Sequence, residues 1–125
     1  PRWFPEGMDT DMTDEDLVGE FIREKVLLNC RQEVPHSVAV KVEEISWPKR
    51  DQLSVTVTIL VEREGQKAIL IGRRGSMIKK IGTAARKDIE RLFGAKAYLD
   101  LKVRVQPEWR RDANEIRELG LEADE

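Results

Sequence analysis

A chain of 125 residues, 40% of them hydrophobic, makes one domain that buries roughly two-thirds of the surface its unfolded form would expose, so a core forms without disulfides or metal. One cysteine, Cys30, and one histidine, His36, exclude an internal disulfide and a Cys/His zinc site at any standard spacing, and both readings point to a reducing compartment. The net charge is −2, no run of about 18 apolar residues occurs and no charged-then-apolar leader opens the chain, so neither a membrane span nor a signal peptide is predicted.

The chain starts at Pro1 rather than methionine, which reads as a cut from a longer protein. Residues 1–16 hold six acids (Glu6, Asp9, Asp11, Asp14, Glu15, Asp16) against Arg2, with Pro1, Pro5 and Gly7 and no apolar period, so 1–13 reads as an interdomain linker remnant. Trp3 and Phe4 within it are read either as docked or as a severed interdomain contact. Thr13 with Asp16 three residues on resembles a capping box, and the acids crowd a first turn where the helix dipole favours them. The helix that starts there carries Leu17, Val18, Phe21, Ile22, Val26 and Leu28 on one face until Pro35 stops it near Glu33. Cys30 reads as a small core residue near its end.

Two strands follow. Val38, Val40 and Val42 alternate with Ala39, Lys41 and Glu43 in the stretch from Ser37 to Ile45. Leu53, Val55, Val57, Ile59 and Val61 alternate with polar neighbours in the stretch from Leu53 to Glu62. The turn-rich connection Trp47, Pro48, Lys49, Arg50, Asp51 predicts an antiparallel hairpin. A third alternating stretch, from Ala97 to Gln106, places Ala97, Leu99, Leu101, Val103 and Val105 on one side. From Pro107 onward, Trp109, Ala113, Ile116 and Leu119 suggest a last short helix ending at Gly120, with a frayed tail behind it.

Between the second and third strands lies the stretch that carries chemistry. Gln66 to Ile71 is short and apolar; Ile78, Ile81, Ala85, Ile89 and Leu92 then form one stripe of a 3.6-residue period, and Gly94 follows as a C-cap. Joining the two helices is Ile71, Gly72, Arg73, Arg74, Gly75, Ser76, Met77. Its glycines permit positive φ, its middle residues are cationic, and the second helix directs free N–H groups and the positive end of its dipole into the same space. Such a joint suits a phosphate, although GxxG by itself more often marks a tight turn. From Lys67 to Arg91 eight cations (Lys67, Arg73, Arg74, Lys79, Lys80, Arg86, Lys87, Arg91) stand against Asp88 and Glu90, a local +6 inside an acidic chain. That balance addresses a polyanion; the plainer alternative is a solvated helix face.

Helix, strand, strand, helix, GxxG, helix, strand is an α+β order that resembles the type II KH domain, whose loop clamps about four nucleotides of single-stranded RNA or DNA. More specifically, the stretch from Val61 to Leu101 (VEREGQKAILIGRRGSMIKKIGTAARKDIERLFGAKAYLDL), with IREKV at 22–26 and VPHSV at 34–38, is similar to the C-terminal KH domain of the Era family of bacterial GTPases. The resemblance covers essentially the whole chain. It implies a type II KH domain at 14–106, its three-stranded sheet packed against three helices on one face, followed by a C-terminal helix and tail at 107–125.

For function it implies binding of single-stranded RNA, namely the 3′ end of 16S ribosomal RNA, in small ribosomal subunit assembly. The setting is cytoplasmic, with the parent protein placed at the periphery of the inner membrane as a further option. The parent's own GTPase domain would be a partner and would hold GTP and magnesium; this chain needs no cofactor and is not an enzyme, since neither Gly65 nor Gly72 starts a GxxxxGK[ST] loop. Carried over by position, Gly72, Arg73, Arg74 and Gly75 become the backbone clamp, flanked by Ile71, Ser76 and Met77, with Lys67, Lys79 and Lys80 as nearby cations. Leu60, Val61 and Ile69 are the candidates for an apolar bed under the bases. With no aromatic residue in this region, base stacking is not expected and readout falls to hydrogen bonds.

Gly82, inside the long helix, costs about 1 kcal/mol relative to alanine and is read first as allowing close packing rather than RNA approach. Trp47 and Trp109 are read as core or edge packing. Two other readings stay open: another ribosome- or transcription-associated type II KH protein, and a protein-interaction module that docks an acidic partner on the basic face.

Overall fold

The computed structural model describes residues 12–30 and 38–107. In chain order these form α1 (Asp14–Cys30), β1 (Val38–Lys49), β2 (Gln52–Val61), α2 (Glu64–Ile71), a single 3-10 turn (Arg73–Gly75), α3 (Ser76–Phe93) and β3 (Lys96–Val105). This is the α-β-β-α-GxxG-α-β order read from the sequence. The linker read at 1–13 falls almost wholly outside the described residues, as do the end of the first helix near Pro35, His36, and the last helix with Trp109 and Ile116.

α1 opens with the reciprocal cap its sequence announces. The Asp16 N–H donates to Thr13 Oγ1 at 3.1 Å, and the Thr13 N–H donates to Asp16 Oδ2 at 3.4 Å. Leu17, Val18, Phe21, Ile22, Val26 and Cys30 are buried along one stripe. Leu28 is not among them: it is 64% exposed, because two residues past Val26 is some 200° around the helix, and Cys30 takes the place one turn on.

The sheet runs β1-β2-β3, with β1 antiparallel and β3 parallel to β2, so β2 is central and both neighbours are edges. β1 extends four residues beyond the expected Ile45, and the turn narrows to Arg50 and Asp51. An extra residue at Glu43 explains how the longer strand keeps its apolar side. Val38, Val40 and Val42 face Val61, Ile59 and Val57, and after the bulge it is Ile45 that pairs with Val55. Parity changes from even to odd and the inward row continues.

A parallel partner for β2 needs a crossover, which α2 and α3 supply on the face that the odd-numbered residues of β2 present. Leu53, Val55, Val57, Ile59 and Val61 are fully buried there, with Ile81, Ala85, Ile89 and Leu92 of α3 and Leu70 of α2 over them. Gly94 closes α3 in the left-handed conformation at φ 65°, its N–H donating to Glu90 O at 2.8 Å. α1 lies beside α3 and over β1, and the half-buried pair Lys25–Asp88 joins the two helices. Trp47 is packed at an edge: 48% exposed, it meets Phe93 edge-to-face with ring centroids 6.2 Å apart.

Candidate nucleic-acid interface

The joint between α2 and α3 is tighter than two glycines alone require. Gly72 ends α2 with its N–H on Ala68 O at 2.9 Å, and Gly75 folds back to donate to Gly72 O at 3.1 Å. Gly72 has φ 75° and ψ 175°, a region essentially restricted to glycine, and a Cβ there would lie 2.7 Å from the backbone nitrogen and Cβ of Met77. Gly75 is left-handed at φ 77°, ψ 14°, and a Cβ there would meet Ile78 Cγ2 at 4.0 Å, an ordinary contact. Between them Arg74 is also left-handed, φ 56° and ψ 29°, an unfavourable conformation for a long side chain. The loop therefore holds Arg73 and Arg74 out in solvent at the N-terminus of α3.

The flanking candidates divide by environment. Ile71 and Met77 are half-buried and pack on the core, so they anchor the loop, whereas Ser76, Lys79 and Lys80 are exposed on the first turns of α3. Lys67 is on α2 and lines a different opening, shared with Lys102 and Arg104 of β3.

Leu60, Val61 and Ile69, the candidates for an apolar bed, are not brought together beside the loop. Val61 is fully buried in the core; Ile69 packs on that core from α2; Leu60 stands in the register row Ala39, Leu60, Arg104 on the opposite face of the sheet. The reason is the crossover, which makes β3 the strand beside α3 and leaves β2 in the middle. The groove next to the loop is an open cleft of about 400 Å³ between α3 and β3, lined by Ile78, Lys79, Gly82, Thr83 and Arg86 on one wall. Tyr98, Leu99, Asp100 and Leu101 form the other. Alternation in β3 identified Leu99 and Leu101 as apolar; nothing in it told which helix would face them.

Two further expectations change with this groove. An aromatic residue does belong to the region, since Tyr98 lines the cleft and is 65% exposed. Close packing does not require Gly82 either: a Cβ there would meet Leu101 Cδ1 at 3.5 Å, an ordinary contact, so glycine leaves space in the cleft that a side chain would fill.

β3 brings backbone groups to the same cleft. The N–H of Lys96 and that of Gln106, just past the strand, turn toward β2, donating to Asp51 O and Val61 O, while the N–H of Ala97 turns the other way to Glu90 Oε2 at 2.8 Å. By the two-residue period the main-chain groups of Leu99 and Leu101 share the direction of Ala97, toward the free edge.

Both acids of the basic stretch are engaged elsewhere. Asp88 binds Lys25 Nζ at 2.9 Å on the α1 side, and Glu90 holds the start of β3. Among the described residues Arg73, Arg74, Lys79, Lys80, Arg86 and Lys87 form no ion pairs, so the positive charge of the loop faces solvent unpaired, while in the cleft Asp100 stands with Lys79 and Arg86. No group of three metal-ligating side chains occurs among the described residues, and no described helix is long and apolar enough to cross a membrane.

A family model described as KH domain matches residues 33–110. The chain belongs to the KH domain family. This KH domain is 50% identical over 125 residues to the GTPase Era of Thermotoga maritima, covering 99% of the chain and 42% of that protein. It is 48% identical over 120 residues to the GTPase Era of Leuconostoc citreum, covering 96% and 40%. The chain thus spans about two-fifths of the length of these relatives. Among solved structures, Aquifex aeolicus Era bound to GDP and AlF4⁻ matches with a TM-score of 0.79 at 41% identity, over 91% of this chain and 38% of that one. Era in complex with MgGDPNP and nucleotides 1506–1542 of 16S ribosomal RNA matches with a TM-score of 0.80 at 40% identity, over 94% and 39%. What is shared is the KH segment, and the chain is not itself a GTPase.

Proposed function

We propose that this KH domain is the RNA-binding part of an Era-like GTPase and takes single-stranded RNA at the 3′ end of 16S ribosomal RNA during assembly of the small ribosomal subunit. The observation that carries the reading is the unpaired Arg73–Arg74 loop, which runs directly into α3, where Ile78 and Lys79 line the α3–β3 cleft. Phosphates would lie against the loop and the α3 N-terminus, with Lys79 beside them. Bases would then enter the cleft over Ile78, Leu99 and Leu101, where Gly82 leaves room and the backbone groups of Leu99 and Leu101 meet base edges. Lys80 adds charge from α3, and Lys67 from the α2 side. The RNA named in the Era complex supports the choice of 16S RNA as ligand. GTP and magnesium would belong to the remainder of the parent protein, whose GTPase domain would be the intramolecular partner; a cytoplasmic setting follows from the same reading.

The test is fluorescence anisotropy with a short single-stranded RNA from the 16S 3′ end, beside a scrambled strand and a duplex of the same sequence. Preference for the single strand over the duplex, and for the native order over the scramble, is the expected result. Equal binding of all three would reduce the site to a non-specific basic face. Capture of an acidic protein partner that survives nuclease, with no RNA binding, would replace the reading by the protein-interaction one.

A further inference from the structure

Tyr98 belongs to two surfaces at once. It lines the α3–β3 cleft at the end away from the loop, opposite Arg86, and its register row Ser46, Ser54, Tyr98 stands on the sheet face turned away from the helices. The next row toward the hairpin is Lys49, Gln52, Lys96 on the same face. Lys96 therefore projects about 7 Å from Tyr98 along the strand, and Lys49 stands about 10 Å across the sheet from Lys96. Both lysines are exposed, and Ser46, Ser54 and Gln52 add hydroxyl and amide groups between them. Carboxylates occur at the turn (Asp51) and one row in the other direction (Glu44, Asp100), so the two rows themselves carry only neutral and positive groups. A phenol ring exposed at the open end of a polyanion groove, with cations beyond it, is a stacking platform followed by phosphate sites.

Building on the RNA reading of the cleft, we infer that the strand leaves it over Tyr98, which stacks one base, and that Lys96 and Lys49 take the phosphates that follow. The recognised stretch is then longer than the loop's four nucleotides by about two. The polar, cationic character of the rows favours nucleic acid over an apolar protein partner. Asp100, at the cleft's edge, deflects the backbone toward Lys96.

Anisotropy on the 125-residue chain tests this with a tetranucleotide from the 16S 3′ end and two hexanucleotides extended on its 5′ or 3′ side. One hexamer should bind at least about fivefold more tightly than the tetramer. Tyr98→Ala should abolish that gain, costing the favoured hexamer far more than the tetramer, while Tyr98→Phe keeps it. Lys49→Gln with Lys96→Gln should flatten the salt slope of the favoured hexamer by roughly 1.4 units and leave that of the tetramer alone. The inference is overturned if neither hexamer gains, if the gain survives Tyr98→Ala, or if Tyr98→Ala weakens tetramer and hexamer alike, which would make the ring a wall of the cleft. A parent chain that fails to bind the tetramer indicts the cleft itself; loss of the extension effect alone indicts the platform.

Discussion

Lys25 on α1 reaches Asp88 on α3 with 2.9 Å between Nζ and Oδ2, and its ammonium also binds Glu24 at 3.0 Å. Burial by itself lowers the Lys25 pKa, but the hydrogen bonds from Asp88 and Glu24 and their charges together outweigh it and leave the group raised above its ordinary value of 10.5. A lysine raised on folding contributes stability in full below its unfolded pKa, and loses it as pH climbs through the folded value. Lys25→Met should therefore lower stability by about 0.5–1 kcal/mol at pH 7. The difference from the parent should close above about pH 10.5. Denaturant melts of both proteins from pH 7 to 12 check this; a gap that persists unchanged at pH 12 would mean that packing, not charge, joins the helices here.

The two loop glycines are not equivalent. Gly72 combines a glycine-only conformation with a Cβ position 2.7 Å from Met77, whereas Gly75 is merely left-handed, its Cβ position in ordinary contact with Ile78 Cγ2 at 4.0 Å. Gly72→Asn should destabilise by about 2–3 kcal/mol, and Gly75→Asn by about 1 kcal/mol or less, because asparagine tolerates the left-handed region. Urea denaturation of the two variants gives the comparison directly.

How far the chain could be read in advance depended on whether a feature is local. The alternation of Leu53 to Val61, the α3 stripe ending at Gly94 and the Thr13 cap each lie within one element and set their own geometry. Bulges such as that at Glu43 shift parity through a pairing that alternation does not encode. The cleft was illegible for a related reason. Ile78 and Gly82 meet Leu99 and Leu101 across some twenty residues, and only the parallel docking of β3 on β2 brings them together. Leu60 and Val61 looked equally available because the sequence did not rank β2 as central, and Tyr98 looked remote for the same reason. The loop, contiguous in sequence, was legible as a turn between two helices; the cleft beside it was not.

Gly82 sits where stability and binding pull apart. A methyl group at this position has room and improves helix propensity, so Gly82→Ala should raise stability by about 0.5–1 kcal/mol. A large side chain would occupy the cleft without entering the core. Gly82→Leu should keep the melting temperature within a few degrees of the parent while RNA affinity falls at least about tenfold, roughly 1.4 kcal/mol. If Gly82→Leu unfolds the domain, the glycine serves packing after all; if it binds RNA normally, bases do not pass over this part of α3.

The loop arginines admit the sharpest separation of fold from function. Arg73 and Arg74 are exposed and touch no core residue, and Arg74 occupies a left-handed conformation that aspartate adopts more readily than arginine. Arg73→Asp with Arg74→Asp should therefore leave the unfolding midpoint nearly unchanged while placing two negative charges where phosphate would lie. RNA binding should be lost. A site holding about four nucleotides neutralises some three phosphates, so log K against log salt should fall with a slope of roughly −2 for the parent, at about 0.7 per phosphate. Arg73→Gln with Arg74→Gln removes the charge without reversing it and should flatten that slope by roughly 1.4 units. Anisotropy at several salt concentrations, beside hydrogen-exchange protection of α2 and α3 to show that the variants are folded, makes the measurement. Should the folded aspartate variant bind RNA as tightly as the parent and with the same slope, Gly72 to Gly75 would be a turn and nothing more. The unpaired charge of Lys79, Arg86 and Lys87 along α3 would then be the place to seek the phosphate contacts.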